Sequence, residues 1–234
     1  MKLIIAIDGP AGTGKSSVAR FVAQKLNYIY VDTGAIYRAL ALLVERENVD
    51  ASDVKKILEL ISKLEISIEE SQFRTVIKLD GQLVIDKDLR SEAISKLSSV
   101  VSQHPEIRKE LLELQRNLAL KSNSGAIFEG RDIGTVVFPK APVKIYITAN
   151  SETRAKRRFL ELQNSHTQAT YEEILEAIKL RDLRDKSRAN APMLEAHDAV
   201  VIDTSHMSLD QVINQTLEII NQALKNSNTG ERPW

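Results

Sequence analysis

The stretch Gly9-Pro10-Ala11-Gly12-Thr13-Gly14-Lys15-Ser16 limits what this chain can fold into more than any other. It fits the spacing G-x-x-x-x-G-K-[ST], and it stands between an apolar run, Leu3 to Ile7, and a segment whose Val18, Phe21, Val22 and Leu26 recur at helical spacing. The isoleucine-rich run reads as a strand buried on both faces of a parallel sheet. Glycines let the main chain bend around an anion and turn successive N–H groups inward. The helix beginning near Lys15 aims its positive end at the same point. Gly9 to Ser17 are therefore the candidate contacts of a nucleoside triphosphate. Lys15 can reach its β and γ phosphates, and Ser16 or Ser17 is placed to hold Mg²⁺ directly or through water. A plain strand-to-helix turn accounts for the glycines but not for Lys-Ser at this offset. The loop leaves the chemistry after binding open, because switches, motors and small-molecule kinases share it.

The remainder of the 234 residues reads as strands alternating with helices, the pattern of a three-layer α/β domain. Tyr28–Val31, Ala126–Glu129, Val143–Thr148 and Ala199–Ile202 read as short core strands. Helices are expected over Gly34–Arg46, from a cap at Ser52, over Ser91–Ser102, Pro105–Lys121, Ser151–Leu162 and Tyr171–Arg188, and from Ser208 to Lys225. Between Ile66 and Ile85 the period changes to two, and Asp80-Gly81 marks a hairpin. Gln163–Thr170 is a polar connector, and Asn226–Trp234 reads as a frayed tail beyond a domain of residues 1–225.

Composition closes several doors. With no cysteine there is no disulfide, thiolate metal site or cysteine nucleophile. His104, His166, His197 and His206 show no metal-ligand spacing. Lys+Arg and Asp+Glu both number 32, so global charge argues for neither nucleic acid nor a membrane surface. The N-terminal apolar run is too short for a signal peptide core. The expected address is the cytoplasm, and no exposed apolar helix face demands a partner, so a monomer is expected.

A second anion site is suggested by residues that follow buried strands. Asp32-Thr33 closes the second strand, with Arg38 about one turn into the next helix, where open α/β sheets place ligands. Asp32 could equally be no more than a helix cap. Glu129-Gly130-Arg131-Asp132 also follows a buried strand and should project toward the same crevice, or form a surface turn. Arg181, Arg184 and Arg188 share a helical face, and Asp185 could merely form a surface pair with Arg181. With Arg154, Lys156, Arg157 and Arg158 they form a guanidinium-rich set suited to neutralising phosphoryl oxygens.

These segments, together with Gly130-Arg131-Asp132-Ile133-Gly134-Thr135-Val136-Val137-Phe138-Pro139, resemble the bacterial cytidylate kinases, a group of nucleoside monophosphate kinases, over nearly the whole chain. The resemblance implies phosphoryl transfer from ATP to CMP or dCMP with Mg²⁺. It also implies a parallel five-stranded sheet, an inserted monophosphate-binding lobe at about 33–122 and a mobile lid at about 151–170. By similarity Thr33, Arg38, Arg131 and Arg188 would clamp the acceptor phosphate, and Arg181 and Asp185 would contact its ribose. Ser99, Arg108 and Asp132 fall where the family reads the cytosine. Arg154, Arg157 and Arg158 belong to the lid over the donor phosphates, and Lys15, Arg131, Arg188, Arg154 and Arg158 are the residues expected to carry catalysis. After Lys15 this chain has Ser where many relatives have Gly, so the Mg²⁺ role is divided between Ser16 and Ser17. Two competing readings are a kinase for another acceptor, for which an alcohol would need Asp32 as base, and a nucleotide-dependent switch that needs no second anion site.

Overall fold

The computed structural model describes residues 3–69, 74–121, 125–164 and 169–228. Five strands form a parallel core in the order β2-β6-β1-β7-β8: β1 Ile4–Asp8, β2 Ile29–Asp32, β6 Ala126–Glu129, β7 Val143–Thr148 and β8 Val200–Asp203. β1 sits at the centre, with Ile7 opposite Glu129 of β6 and Asp8 opposite Tyr146 of β7. The carboxyl ends of β1, β2 and β6 consequently lie side by side, which brings the ends of three expected site segments to one edge of the sheet.

Alternation along the buried strands divides the core. Ala6, Val31, Phe128 and Ile133 join one apolar cluster, built with α2 (Thr33–Arg46), α3 (Val54–Leu60), α5 (Glu92–Val101) and α6 (Pro105–Lys121). Ile5, Ile7, Tyr30 and Ile127 face a second, built with α1 (Lys15–Leu26) and α9 (Leu209–Asn228). Helices α7 (Ser151–Asn164) and α8 (Tyr171–Ser187) pack on each other. Thr170 and Glu173 cap α8 reciprocally.

The hairpin region departs from a separate excursion. β3 (Leu64–Glu69) and β4 (Arg74–Leu79) pair antiparallel, and β4 meets β2 in parallel at Tyr30 and Arg74, so the insertion extends the main sheet. The Asp80-Gly81 turn is as expected: φ is +48° and +75°, the two positive values a type I′ turn requires, and it leads into β5 (Gln82–Leu83). A short helix, α4 (Asp86–Leu89), comes next, where none was expected. The cap of α3 is Asp53, accepting from the Lys56 N–H at 3.1 Å, because Ser52 is engaged by Asp50. Ser208 does cap α9, accepting from Gln211 N–H at 3.3 Å. Helix α9 runs on to Asn228, past the start expected for the tail, and residues 229–234 lie outside the described part. Of the connector Gln163–Thr170, Gln163 and Asn164 are helical, and 165–168 lie outside the described residues.

Candidate active site

The loop between β1 and α1 has the geometry its glycines require. Gly9 has φ +139°, and a Cβ there would stand 2.0 Å from the Ile147 carbonyl oxygen, so no other residue fits. Lys15 is buried at the loop's base, where its ammonium donates to the Pro10 carbonyl at 2.6 Å and weakly to Thr13 Oγ1 at 3.4 Å. Burial, reinforced by the nearby Arg131, lowers its pKa to about 7. Glu129 and Asp8 oppose this shift without cancelling it.

Helix α7 crosses the loop with its first turn. Arg154 donates to the Ala11 carbonyl at 3.1 Å and grips Asp182 of α8 with two nitrogens at 3.1 and 2.6 Å. Arg157 donates to the carbonyl and hydroxyl of Thr204, at 2.7 and 3.1 Å, just beyond β8. Arg158 is not brought to the loop. It stands about 6 Å further along the helix than Arg154, is paired with Glu161 at 3.1 Å, and its side chain is 44% exposed.

Glu129, at the end of β6, organises the floor. Its Oε1 accepts from Ser16 Oγ at 3.0 Å, its Oε2 from the Tyr30 hydroxyl at 2.7 Å, and its carbonyl from Thr33 Oγ1 at 2.7 Å. The sequence points to this glutamate only as part of a polar segment; its signal is a carboxylate ending a strand that pairs with β1. Ser16 is thus tied to Glu129, whereas Ser17 is exposed. The two oxygens form a hard donor set of the kind Mg²⁺ accepts.

Arginines from α2, the end of α4, the turn after β6, α6 and the position just past α8 gather around Asp32, Asp132 and Asp185. Asp32 does cap α2, accepting from Ala35 N–H at 2.9 Å, and it also receives Arg38 at 2.8 Å and Arg90 at 3.6 Å. Burial acts to raise the Asp32 carboxyl, but Arg38, the Ala35 N–H and Arg90 outweigh it and hold the group below its ordinary value. Arg131 binds Asp185 at 3.2 Å. Asp185 is therefore buried and committed to Arg131 rather than paired on the surface with Arg181, because the end of α8 turns into the molecule. Arg188 lies just past α8 in extended backbone, off the helical face it was expected to share, and its Nε donates to the Asp185 carbonyl at 3.3 Å. Arg108 of α6 contacts Asp132 directly and lies over the Tyr37 ring, 5.4 Å from its centroid.

Several buried donors in this group have no partner: Arg38 Nε, Arg108 Nε, Arg181 Nε, Arg188 Nη2 and Ser99 Oγ. An unmet buried donor is costly, most of all on a charged group. Burial lowers the pKa of Arg181 to about 10, with Arg131 adding to the effect, and burial and Arg108 depress Arg188. Arg108 and Arg131, beside Asp132 and Asp185, are instead held above the ordinary guanidinium value despite their burial. A cavity of about 360 Å³ opens beside the Arg108–Asp132 pair, lined also by Tyr37, Gln115, Val137 and Asn190. The arrangement can hold a polyphosphate in the loop and, facing it, a second anion carrying a planar group.

The cytidylate kinase family model matches residues 5–222. The chain belongs to the cytidylate kinase family. The cytidylate kinase of Caldicellulosiruptor saccharolyticus is 43% identical over 96% of this chain and 98% of its own length. That of Limosilactobacillus reuteri strain DSM 20016 is 42% identical over 93% of this chain and 95% of its own. Among solved structures, a gluconokinase from Sinorhizobium meliloti 1021 aligns with a TM-score of 0.48 at 14% identity, covering 99% of this chain and 98% of that one. As a member of this family the chain is an enzyme, a nucleoside monophosphate kinase. Among the described residues no helix is long and apolar enough to cross a membrane.

Proposed function

We propose that this enzyme transfers the γ-phosphoryl group of ATP to CMP and dCMP, forming CDP or dCDP and ADP. An oxygen of the acceptor's phosphate forms the new bond to the γ phosphorus while the bond to the bridging β–γ oxygen breaks, and ADP leaves with that oxygen. The acceptor's second pKa lies near 6, so its oxygen is already anionic near neutral pH and no side chain needs to remove a proton. What the protein supplies is alignment and charge neutralisation. Gly9 to Ser17 would cradle the donor, with Lys15 at its β and γ phosphates. Thr33, Arg38, Arg131 and Arg188 would hold the acceptor phosphate, Arg181 and Asp185 its ribose, and Ser99, Arg108 and Asp132 its base. Mg²⁺, held by Ser16 and supported by Glu129, would neutralise charge on the donor phosphates.

The observation that carries this reading is the set of buried, unpartnered guanidinium nitrogens on Arg38, Arg181 and Arg188. Asp32 speaks against an alcohol acceptor, because a carboxylate held by two arginines with a lowered pKa is a poor base. A panel of acceptors with ATP and Mg²⁺ tests the reading: CMP and dCMP should turn over far faster than AMP, UMP or shikimate. Faster turnover of AMP or shikimate, or ADP release that ignores CMP, would contradict it.

Lys15 gives a separate check. At pH 8 an ammonium of pKa about 7 is mostly neutral, and bound phosphates return it to the charged form. ATP, fully ionised at that pH, should therefore bind with uptake of about one proton. Calorimetry in two buffers of different ionisation enthalpy measures the uptake, and its absence would contradict the assigned state of Lys15.

A further inference from the structure

We propose that Asp8 is a positioning residue that fixes Arg131 and Asp132 and ties their placement to the phosphate loop; this rests on the acceptor site described above. Asp8 ends β1, immediately before Gly9, and is 5% exposed. Both of its oxygens are engaged by the turn after β6: Oδ1 accepts from Ile133 N–H at 2.9 Å and Oδ2 from Gly134 N–H at 2.7 Å. The sheet ladder supplies the other anchor, since Gly130 N–H donates to the Ile7 carbonyl at 3.0 Å. Arg131 and Asp132 are thus the two residues strung between a main-chain anchor on Ile7 and a side-chain anchor on Asp8, consecutive residues of one strand.

The second anchor opens a π-helical turn, Ile133–Val137, where Asp132 carries no side-chain cap of its own. With the turn's first N–H groups held by Asp8, the Asp132 carboxylate is left for Arg108. Gly134 completes the fit. A Cβ there would stand 3.1 Å from Lys144 Cδ and in ordinary contact, 3.4 Å, with Asp8 Oδ2, so a side chain would crowd the anchored turn from the Lys144 side. Burial raises the Asp8 carboxyl to about 7, with the two N–H groups opposing that rise, so an acid here is held at a cost that a simple turn would not require. Only a carboxylate accepts from both amides. An asparagine offers one oxygen and sets an N–H against the other amide.

The test compares Asp8→Asn with the unaltered enzyme, using ATP affinity by calorimetry, KM for CMP, and the ratio of kcat/KM for CMP over UMP. Losing one charged hydrogen bond at the anchor should raise the KM for CMP about tenfold and lower the CMP/UMP ratio about tenfold, with ATP affinity changed less than about threefold. Amide exchange at Ile133 and Gly134 should accelerate. Gly134→Ala, which keeps Asp8, should move the same readouts in the same direction by less, and it serves if the asparagine variant does not fold. A purely structural role would lower the melting temperature while leaving KM and the CMP/UMP ratio unchanged, and that result overturns the proposal. If the unaltered enzyme itself fails to phosphorylate CMP, it is the acceptor assignment that falls.

Discussion

Lys15→Ala should lower kcat/KM for both substrates by a factor on the order of 10³ or more, with weakened ATP binding. The ammonium is the only buried cation inside the loop among the described residues, and its present partners are a carbonyl and a hydroxyl of the same loop. Neither partner carries charge, so the ammonium is free to exchange them for phosphate oxygens. In the transition state those oxygens carry the charge that separates between donor and acceptor, and neutral main-chain amides cannot replace a full positive charge at that point. Initial rates of CDP formation together with ATP calorimetry measure the effect. A variant that loses less than tenfold in rate would mean that Lys15 serves the fold of the loop rather than the reaction.

Arg188→Ala should slow phosphoryl transfer at least about 100-fold and leave ATP affinity nearly intact. Its guanidinium is anchored through Nε to the Asp185 carbonyl, while Nη2 is buried with no partner. The residue is therefore held in place with an unused donor. Arg38 and Arg131, each paired with a carboxylate, Asp32 and Asp185, are expected to share the acceptor phosphate, which is why the loss should stop short of complete. Arg188→Lys should recover little, since an ammonium cannot make the planar two-point contact of a guanidinium. An unchanged rate in either variant would remove Arg188 from the site.

Much of the fold was legible because its strands announce themselves locally. A strand buried on both faces is a short apolar run, and Leu3–Ile7, Ala126–Glu129 and Val143–Thr148 needed no knowledge of their neighbours. Asp80-Gly81 is equally local, a turn set by two positive φ values. Where the hairpin would attach was not local: nothing in Arg74 says that it meets Tyr30. The site divides in the same way. Lys15 and the loop glycines are written in contiguous residues, and the family resemblance supplied the arginines by position. Their partners could not be read, because Asp185 is adjacent to Arg131 only after α8 has folded back, and Arg90 reaches Asp32 from an unanticipated short helix. Ser52 lost its capping role to Asp53 because Asp50 engaged it first, a competition among near neighbours that capping preference alone does not rank.

In the proposed complex a donor and an acceptor lie end to end in one crevice, one held by loop amides and Lys15, the other by Arg38, Arg131 and Arg188. A crystal structure of the complex with CMP, Mg²⁺ and a non-hydrolysable ATP analogue tests it directly. An acceptor phosphate oxygen is expected about 3–3.5 Å from the γ phosphorus, gripped by Arg38, Arg131 and Arg188. A CMP phosphate bound away from the loop, or arginines that keep only their carboxylate partners while CMP is present, would contradict it.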